Sequence, residues 1–270
     1  MKPIKLYGWR GDGEAHPARR NFGDYLSPLL VEMVARRPVV YAPVREADLI
    51  GVGTILAKSR KARNIIGWPR RLHVWGSGAG SSEDRLPPRH HYHAVRGGLT
   101  QACVEESCGP VAGLAKGDPG LLAAEYWSGR PRPPRKYRLG VIPHFVDQAS
   151  PFVRKLLELP DSHLIDVFLP PDDVLREIQM CDHVVSSSLH GLIVSDAFRI
   201  PNRRMILSEQ VRFDMKYDDY YSAFGLRQPE PLRGEDLSEK RDVAGLVEGY
   251  QEKNIDRVCS DLIRSFPHMS

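Results

Sequence analysis

Apolar residues along this chain come in short runs separated by polar turns, and the runs alternate between two spacings. "IKLYGW" (4–9) has the length and apolar character of a strand, whereas "NFGDYLSPLLVEMVARR" (21–37) repeats its apolar positions every three or four residues, the period of a helix face. "PVVYAP" (38–43), "ADLIGVG" (47–53), "LHVWGSGAG" (72–80) and "HAVRGGLT" (93–100) follow as brief apolar runs that end in Gly or polar residues. Such runs predict strands of a parallel sheet covered on both faces.

The pattern starts again after "SGRPRPPRKYR" (128–138), a basic, proline-rich stretch with no apolar period that reads as a linker. "RLGVIPHFVD" (138–147) predicts a strand, "FVRKLLEL" (152–159) a helix, "HLIDVFLP" (163–170) a strand and "PDDVLREIQMC" (171–181) a helix opened by Pro and Asp. "DHVVSSS" (182–188) predicts the next strand and "HGLIVSDAFR" (190–199) the helix behind it. The tail, 238–266, is helical by spacing and long enough to pack back on the first half. The expected organisation is an α/β domain over 1–128, a linker over 129–137, a second α/β domain over 138–237, and a closing helix in 238–270.

Composition narrows the classes. The 270 residues are 41% apolar, enough for real cores, and the net charge of +4 is too small an excess for a nucleic-acid footprint. It suits an anionic small molecule or an anionic membrane face. No apolar run approaches the length of a spanning helix, and "MKPIKLYGWRGDGE" has no signal-peptide core, so the expected location is cytoplasmic. Cys103, Cys108, Cys181 and Cys259 lack zinc-ribbon spacing and are expected as reduced thiols. His90, His91 and His93, with His73, have no carboxylate or Cys at ligand spacing, and the reading for them is structural, with no metal. "GVG" (51–53) and "GSGAG" (76–80) do not complete a dinucleotide fingerprint.

The chemistry concentrates in "VVSSSLHGLIVSDAFRIPN" (184–202), where a strand hands over to a helix. Ligands of doubly wound sheets bind at such carboxyl ends, where helix N-termini favour anions. His190 stands at that switch. Ser186, Ser187 and Ser188 either cap the helix or donate hydroxyls to a phosphate, and Gly191 permits close approach of a ligand or a backbone. Arg96, at the end of a predicted strand, is a candidate for bidentate capture of an anionic donor, with a surface turn arginine as the equal alternative. Asp24 is either a helix cap or a cleft residue beside Asn21. "DMKYDDYYSAFGL" (214–226) is either a sugar-facing wall carrying Tyr217, Asp219 and Tyr220 or a loop packing its own rings.

"SSSLHGLIVSDAFRIPN" resembles the signature of the polysaccharide pyruvyl transferase family, in which a strand leads through Ser/Arg-Leu-His-Gly into a helix ending at a Gly/Ile-Pro. "NFGDYLSPLL", "AVRGGLT", "GDPGLL", "GVIPHFVD" and "KYDDYYSAFGL" agree in order, so the resemblance spans nearly the whole chain, nearest to bacterial exopolysaccharide ketal-pyruvate transferases. It implies two Rossmann-like domains facing a cleft, similar to the GT-B glycosyltransferase fold. The implied reaction moves the pyruvyl group of phosphoenolpyruvate onto two sugar hydroxyls as a cyclic ketal and releases phosphate, with no cofactor. His190 takes the place of the family's catalytic histidine, with Asp24 as the second catalytic candidate. Ser188 stands where many members carry Arg, so the missing cation is sought among Arg96, Arg203, Arg204 and Arg212. The donor set is then Arg96, Ser187, Ser188, Gly191, Arg204 and Arg212, and the acceptor set Asn21, Tyr217, Asp219 and Tyr220. A lipid-linked acceptor would bring the protein to the inner face of the cytoplasmic membrane, with the linker Arg130 to Arg138 as an electrostatic contact. The alternatives are a GT-B-like glycosyltransferase using a nucleotide sugar and a non-catalytic glycan- or anion-binding protein.

Overall fold

The computed structural model describes residues 2–9, 22–63, 67–208, 215–234 and 242–269. Two predicted site residues, Asn21 and Arg212, lie outside the described residues. Strands β1 (Ile4–Tyr7), β2 (Val39–Tyr41), β3 (Leu49–Ile50), β4 (His73–Trp75), β5 (His91–Val95) and β6 (Ala115–Lys116) form one sheet in the order β2-β1-β3-β4-β5-β6. Strands β7 (Tyr137–Ile142), β8 (Ser162–Leu164), β9 (Cys181–Ser186) and β10 (Asn202–Arg204) form a second in the order β10-β9-β7-β8. Every strand pairing in both sheets is parallel. The chain is therefore an α/β protein.

Alternation across each sheet, shifted by one residue in β5 where Val74 pairs with Tyr92 and Trp75 with Ala94, assigns its two faces. Val74, Tyr92 and Val95 point to an outer cluster of the first sheet, and Leu139, Val141 and Val185 to an outer cluster of the second. Trp75, Ala94, Ile142 and Val184 point instead into a central cluster shared by both sheets. Helix α1 (Phe22–Ala35) lies in that layer, burying Phe22, Leu26 and Leu30 on a face of helical period. It packs there against α5 (Pro171–Gln179) and α6 (Leu189–Ala197), both from the second half. All nine residues of α6 are buried, as an apolar helix between two sheets must be.

Among the described residues, the segment expected as one long closing helix holds two, α8 (Val243–Leu246) and α9 (Ile255–Arg264), with Gly249 between them at φ +82°. A left-handed residue ends a helix, and Gly adopts it at no steric cost. Helix α9 lies against β6, where the Trp75 indole donates to the Leu262 carbonyl at 3.0 Å and meets Phe266 edge-on. Helices α2 (Gly98–Cys108), α3 (Ala123–Trp127), α4 (Pro151–Leu157) and α7 (Met215–Ser222) complete the numbering. The predicted strand over 163–170 ends at Leu164.

Between Trp127 and Tyr137 the chain has no helix or strand. Arg130 and Arg135 in this stretch, and Arg138 just beyond it, have partners within the molecule. Arg130 pairs with Asp172 at 3.1 Å and covers the rings of Tyr126 and Trp127, Arg135 donates to the Cys181 carbonyl, and Arg138 lies 3.8 Å from Asp242. No helix among the described residues is long and apolar enough to cross a membrane.

Candidate active site

Parallel strands bring their carboxyl ends to one edge, and the segments leaving β1, β3, β7 and β9 together wall a cleft of about 220 Å³. Trp9 follows β1, Gly53 to Ile55 follow β3, His144 and Phe145 follow β7, and Ser188 to His190 follow β9. Asp24, from the first turn of α1, and Lys216, from the first turn of α7, close it.

The serines build the turn that delivers His190. Ser186 Oγ donates to the carbonyls of Ile142 and Ser188 and accepts from the Ser188 amide at 3.0 Å, so it folds the chain out of β9. Ser187 Oγ donates to Asp147 at 3.2 Å and accepts from the His144 amide at 2.7 Å, fastening the end of β7 to that of β9. Gly191 is required because a Cβ there would overlap Ser186 Oγ. The close approach that Gly191 permits is to Ser186 of the strand. Gly23 is required in the same way, since a Cβ there would overlap the His190 ring at Nδ1. Phe22 meets that ring edge-on, with centroids 6.5 Å apart.

The other nitrogen, His190 Nε2, is fully buried, has no hydrogen-bond partner, and lies 3.8 Å from Asp118 Oδ2, which is buried and without a partner as well. Asp118 caps the 3-10 helix Pro119–Leu122, its Oδ1 accepting from the Gly120 amide at 2.8 Å. Burial pushes the Asp118 carboxyl up to about 6. Burial first, then the charges of Arg96, Lys216 and His144, push the His190 imidazole down to about 3. At neutral pH the His190 imidazole is therefore uncharged and faces a carboxylate.

Five residues of the expected site point elsewhere. Arg96 is fully buried: its Nε donates to Asp219 at 2.9 Å, and its terminal nitrogens to Thr54 Oγ1 at 2.7 Å and the Ala79 carbonyl at 3.0 Å. It acts on the cleft through its field and is not the bidentate clamp expected. Asp219 is buried opposite it and also accepts from the Thr100 amide at 2.8 Å, placing a carboxylate at the N-terminus of α2. Tyr220 donates to Asp196 at 2.7 Å inside the core, so neither residue is an acceptor wall. Arg204 is buried, bonded to Gln228 at 3.0 Å, with its guanidinium 3.6 Å from the Tyr217 ring centroid. Tyr217 is buried too, its hydroxyl on the Ser187 carbonyl at 2.7 Å, so it braces the serine turn from behind. Arg203 donates to the Glu230 carbonyl at 2.7 Å.

Of the expected residues, Asp24, Ser188 and His190 line the cleft. Asp118, Lys216, His144, Thr54, Trp9 and Phe145 join or back them without having been singled out from the sequence. The signals present were "GDPGLL", "GVIPHFVD" and "KYDDYYSAFGL", which carry Asp118, His144 with Phe145, and Lys216. Among the histidines of β4 and β5, His73 and His93 share a hydrogen bond of 2.8 Å, while His90 is buried between the Leu72 amide and the Ser59 carbonyl. Among the described residues no group of His, Cys, Asp and Glu is arranged to hold a metal ion.

A parallel α/β chain with a cleft at its strand ends and a histidine opening the helix behind one strand belongs to a broad class of group-transfer and ligand-binding folds. A family profile described as polysaccharide pyruvyl transferase matches residues 21–205, and the chain belongs to that family. It is similar to the succinoglycan biosynthesis protein ExoV of Rhizobium meliloti (strain 1021), 28% identical over 231 residues, 83% of this chain and 66% of that protein. It is 31% identical over 144 residues to the uncharacterized protein L143 of Acanthamoeba polyphaga mimivirus, 51% of this chain and 50% of that one. The chain thus spans about half to two thirds of the length of these relatives. A solved structure from Klebsiella pneumoniae, KP1_0663, aligns over 85% of this chain and 92% of that one at 15% identity and a TM-score of 0.49.

Proposed function

We propose that this protein transfers the pyruvyl group of phosphoenolpyruvate to two hydroxyls of a sugar in a polysaccharide precursor, forming a cyclic ketal and releasing phosphate. The observation that carries the reading is His190 Nε2 facing Asp118 Oδ2 across 3.8 Å at the cleft, in a chain of this family. In this reading the two sheets are the two halves of a GT-B-like architecture, and the acceptor is carried on a lipid or on a growing glycan.

His190 is the base. A small rotation of its ring brings Nε2–H onto Asp118, which leaves Nδ1, the nitrogen beside Gly23, to take the proton of the attacking hydroxyl. The imidazolium so formed is stabilised by the Asp118 carboxylate and returns the proton to the donor's methylene carbon, which becomes the methyl group. Phosphate then leaves C2, the second hydroxyl closes the ring there, and its proton departs with phosphate. Lys216 and the amides at the start of α6 meet the donor's anionic groups, and Lys216 supplies the contact charge that Ser188 does not. Asp24 orients an acceptor hydroxyl. Trp9 and Phe145, stacked with centroids 6.1 Å apart, present rings to the sugar.

The test is phosphate release from phosphoenolpyruvate by the purified chain, with and without a saccharide extract from a polysaccharide-producing bacterium. Release that needs both extract and His190 is the expected result. Consumption of nucleotide sugars without phosphate release from phosphoenolpyruvate would overturn the reading in favour of a glycosyltransferase.

A further inference from the structure

We propose that the edge of the first sheet opposite the cleft is a docking surface for an anionic phospholipid bilayer. From Leu49 to Ser82 the sequence holds no Asp or Glu, yet it carries six cations, Lys58, Arg60, Lys61, Arg63, Arg70 and Arg71, together with Trp68. The cations fall within residues 56–63 and 67–71 of it. The chain leaves the cleft at Ile55, runs through the 3-10 helix Leu56–Lys61, and turns back where Arg63 bridges Pro69 antiparallel. It is held to the amino ends of β4 and β5: the Arg70 amide donates to the Ala62 carbonyl, and Arg89 donates to the Arg70 and Ala62 carbonyls.

Because the strands are parallel, the amino ends of β1, β3 and β4 lie at the same edge, and they bring further charge. Lys2, Lys5, Arg37 and Arg71 line a basic depression of about 520 Å³ there, with Asp48 at its margin. The acids of this edge are few. Asp48 is paired with Arg70 at 3.4 Å, Asp84 lies 3.9 Å from Arg60, and Glu46 is exposed. Among the described residues no carboxylate pairs with Lys58, Lys61, Arg63 or Arg71, and all four are exposed.

Trp68 makes the surface suited to lipid more than to a nucleic acid. It is 69% exposed, the most exposed of the large apolar side chains described, and it sits among the cations. An exposed indole between Arg63 and Arg70 in sequence fits the headgroup boundary, where its apolar body is buried and its N–H stays hydrated, while the cations meet lipid phosphates. The linker differs, since Arg130 and Arg138 face carboxylates of their own chain.

The experiment is flotation of the full chain with vesicles of phosphatidylcholine alone or mixed with phosphatidylglycerol. The chain is expected to float with the mixed vesicles at low salt, to stay behind with the neutral ones, and to be released at about 1 M salt, where the Debye length falls to roughly 3 Å. Lys58→Gln with Lys61→Gln, Arg63→Gln and Arg71→Gln should lower partitioning roughly 100-fold or more. Trp68→Ala should cause a smaller loss, and Arg130→Gln none. These positions are exposed, so a melting curve like that of the parent is expected to accompany the loss. A parent chain that does not float, or a quadruple variant that floats like the parent, overturns the proposal. So does binding of duplex RNA without flotation, which would identify a nucleic-acid partner.

Discussion

Two of the buried pairs of charge-bearing residues that join distant parts of this chain are built on opposite principles. Arg96 and Asp219 are fully buried, 2.9 Å apart and satisfied: Thr54, Ala79 and Thr100 complete their hydrogen bonds. His190 and Asp118 are nearly as deep, 3.8 Å apart, and each keeps a buried polar atom with no partner. Buried polar groups in native proteins are nearly always paired, because an orphan costs about 1 to 3 kcal/mol. The first pair is what a fold needs to hold α7 against α2. The second is left unsatisfied behind the wall of a cleft that His190 lines, where a small rotation of the His190 ring would complete it.

Breaking each pair sharpens that contrast, and the largest effect is expected at His190. His190→Ala should lower the proposed transfer by about 100- to 10,000-fold, the range for loss of a general base, with little change in melting temperature. A large fall in melting temperature would make His190 structural. Asp219→Asn leaves Arg96 charged and buried without its counter-ion and puts an amide against the donors of Arg96 and Thr100. A loss of about 3 to 5 kcal/mol of stability in denaturant titration is expected, and a loss under 1 kcal/mol would remove Arg96–Asp219 from the structural side of the comparison.

Asp118→Asn should reduce transfer by about 10- to 100-fold while keeping the cap to Gly120. The sign of its pH dependence follows from the raised carboxyl. The parent should lose activity on the acid side as pH falls through about 6, because the carboxylate that supports the imidazolium is protonated there, and the variant should lack that limb. Stability runs the other way: the fold disfavours the ionised carboxyl, so that cost is present above about 6 and vanishes below the ordinary carboxyl value. The variant should melt no lower than the parent at neutral pH. The smallest effect is expected for Lys216→Gln, about a tenfold rise in KM for phosphoenolpyruvate with kcat little changed, as for the loss of one charge-assisted contact.

Much of this was legible in the sequence because local pattern carried it. Strand β9 and helix α6 follow from an apolar run that changes period at the serines, and His190 falls at the change. Arg96 was misplaced for a physical reason. It stands at a strand end, as the cleft residues do, and nothing nearby indicates that Asp219, 123 positions away, takes its charge. Tyr217 and Tyr220 left a sugar-facing wall and a loop packing its own rings both open, because their partners, Ser187 and Asp196, are equally remote in sequence. Asp118 was hidden for the converse reason. An Asp before Pro at a 3-10 start is fully accounted for as a cap, and only the fold shows that its second oxygen faces His190. The closing segment kept its helical spacing across Gly249, whose left-handed backbone no apolar count registers.

The most direct measurement sets Asp118→Asn beside Asp219→Asn, two identical chemical changes at two buried carboxylates, and records melting temperature and acceptor-dependent phosphate release for both. Asp118→Asn should keep its melting temperature and lose transfer, and Asp219→Asn should lose melting temperature first. Equal destabilisation by the two, or full activity in Asp118→Asn, would contradict the division between a satisfied pair that holds the fold and an unsatisfied pair that works on the substrate.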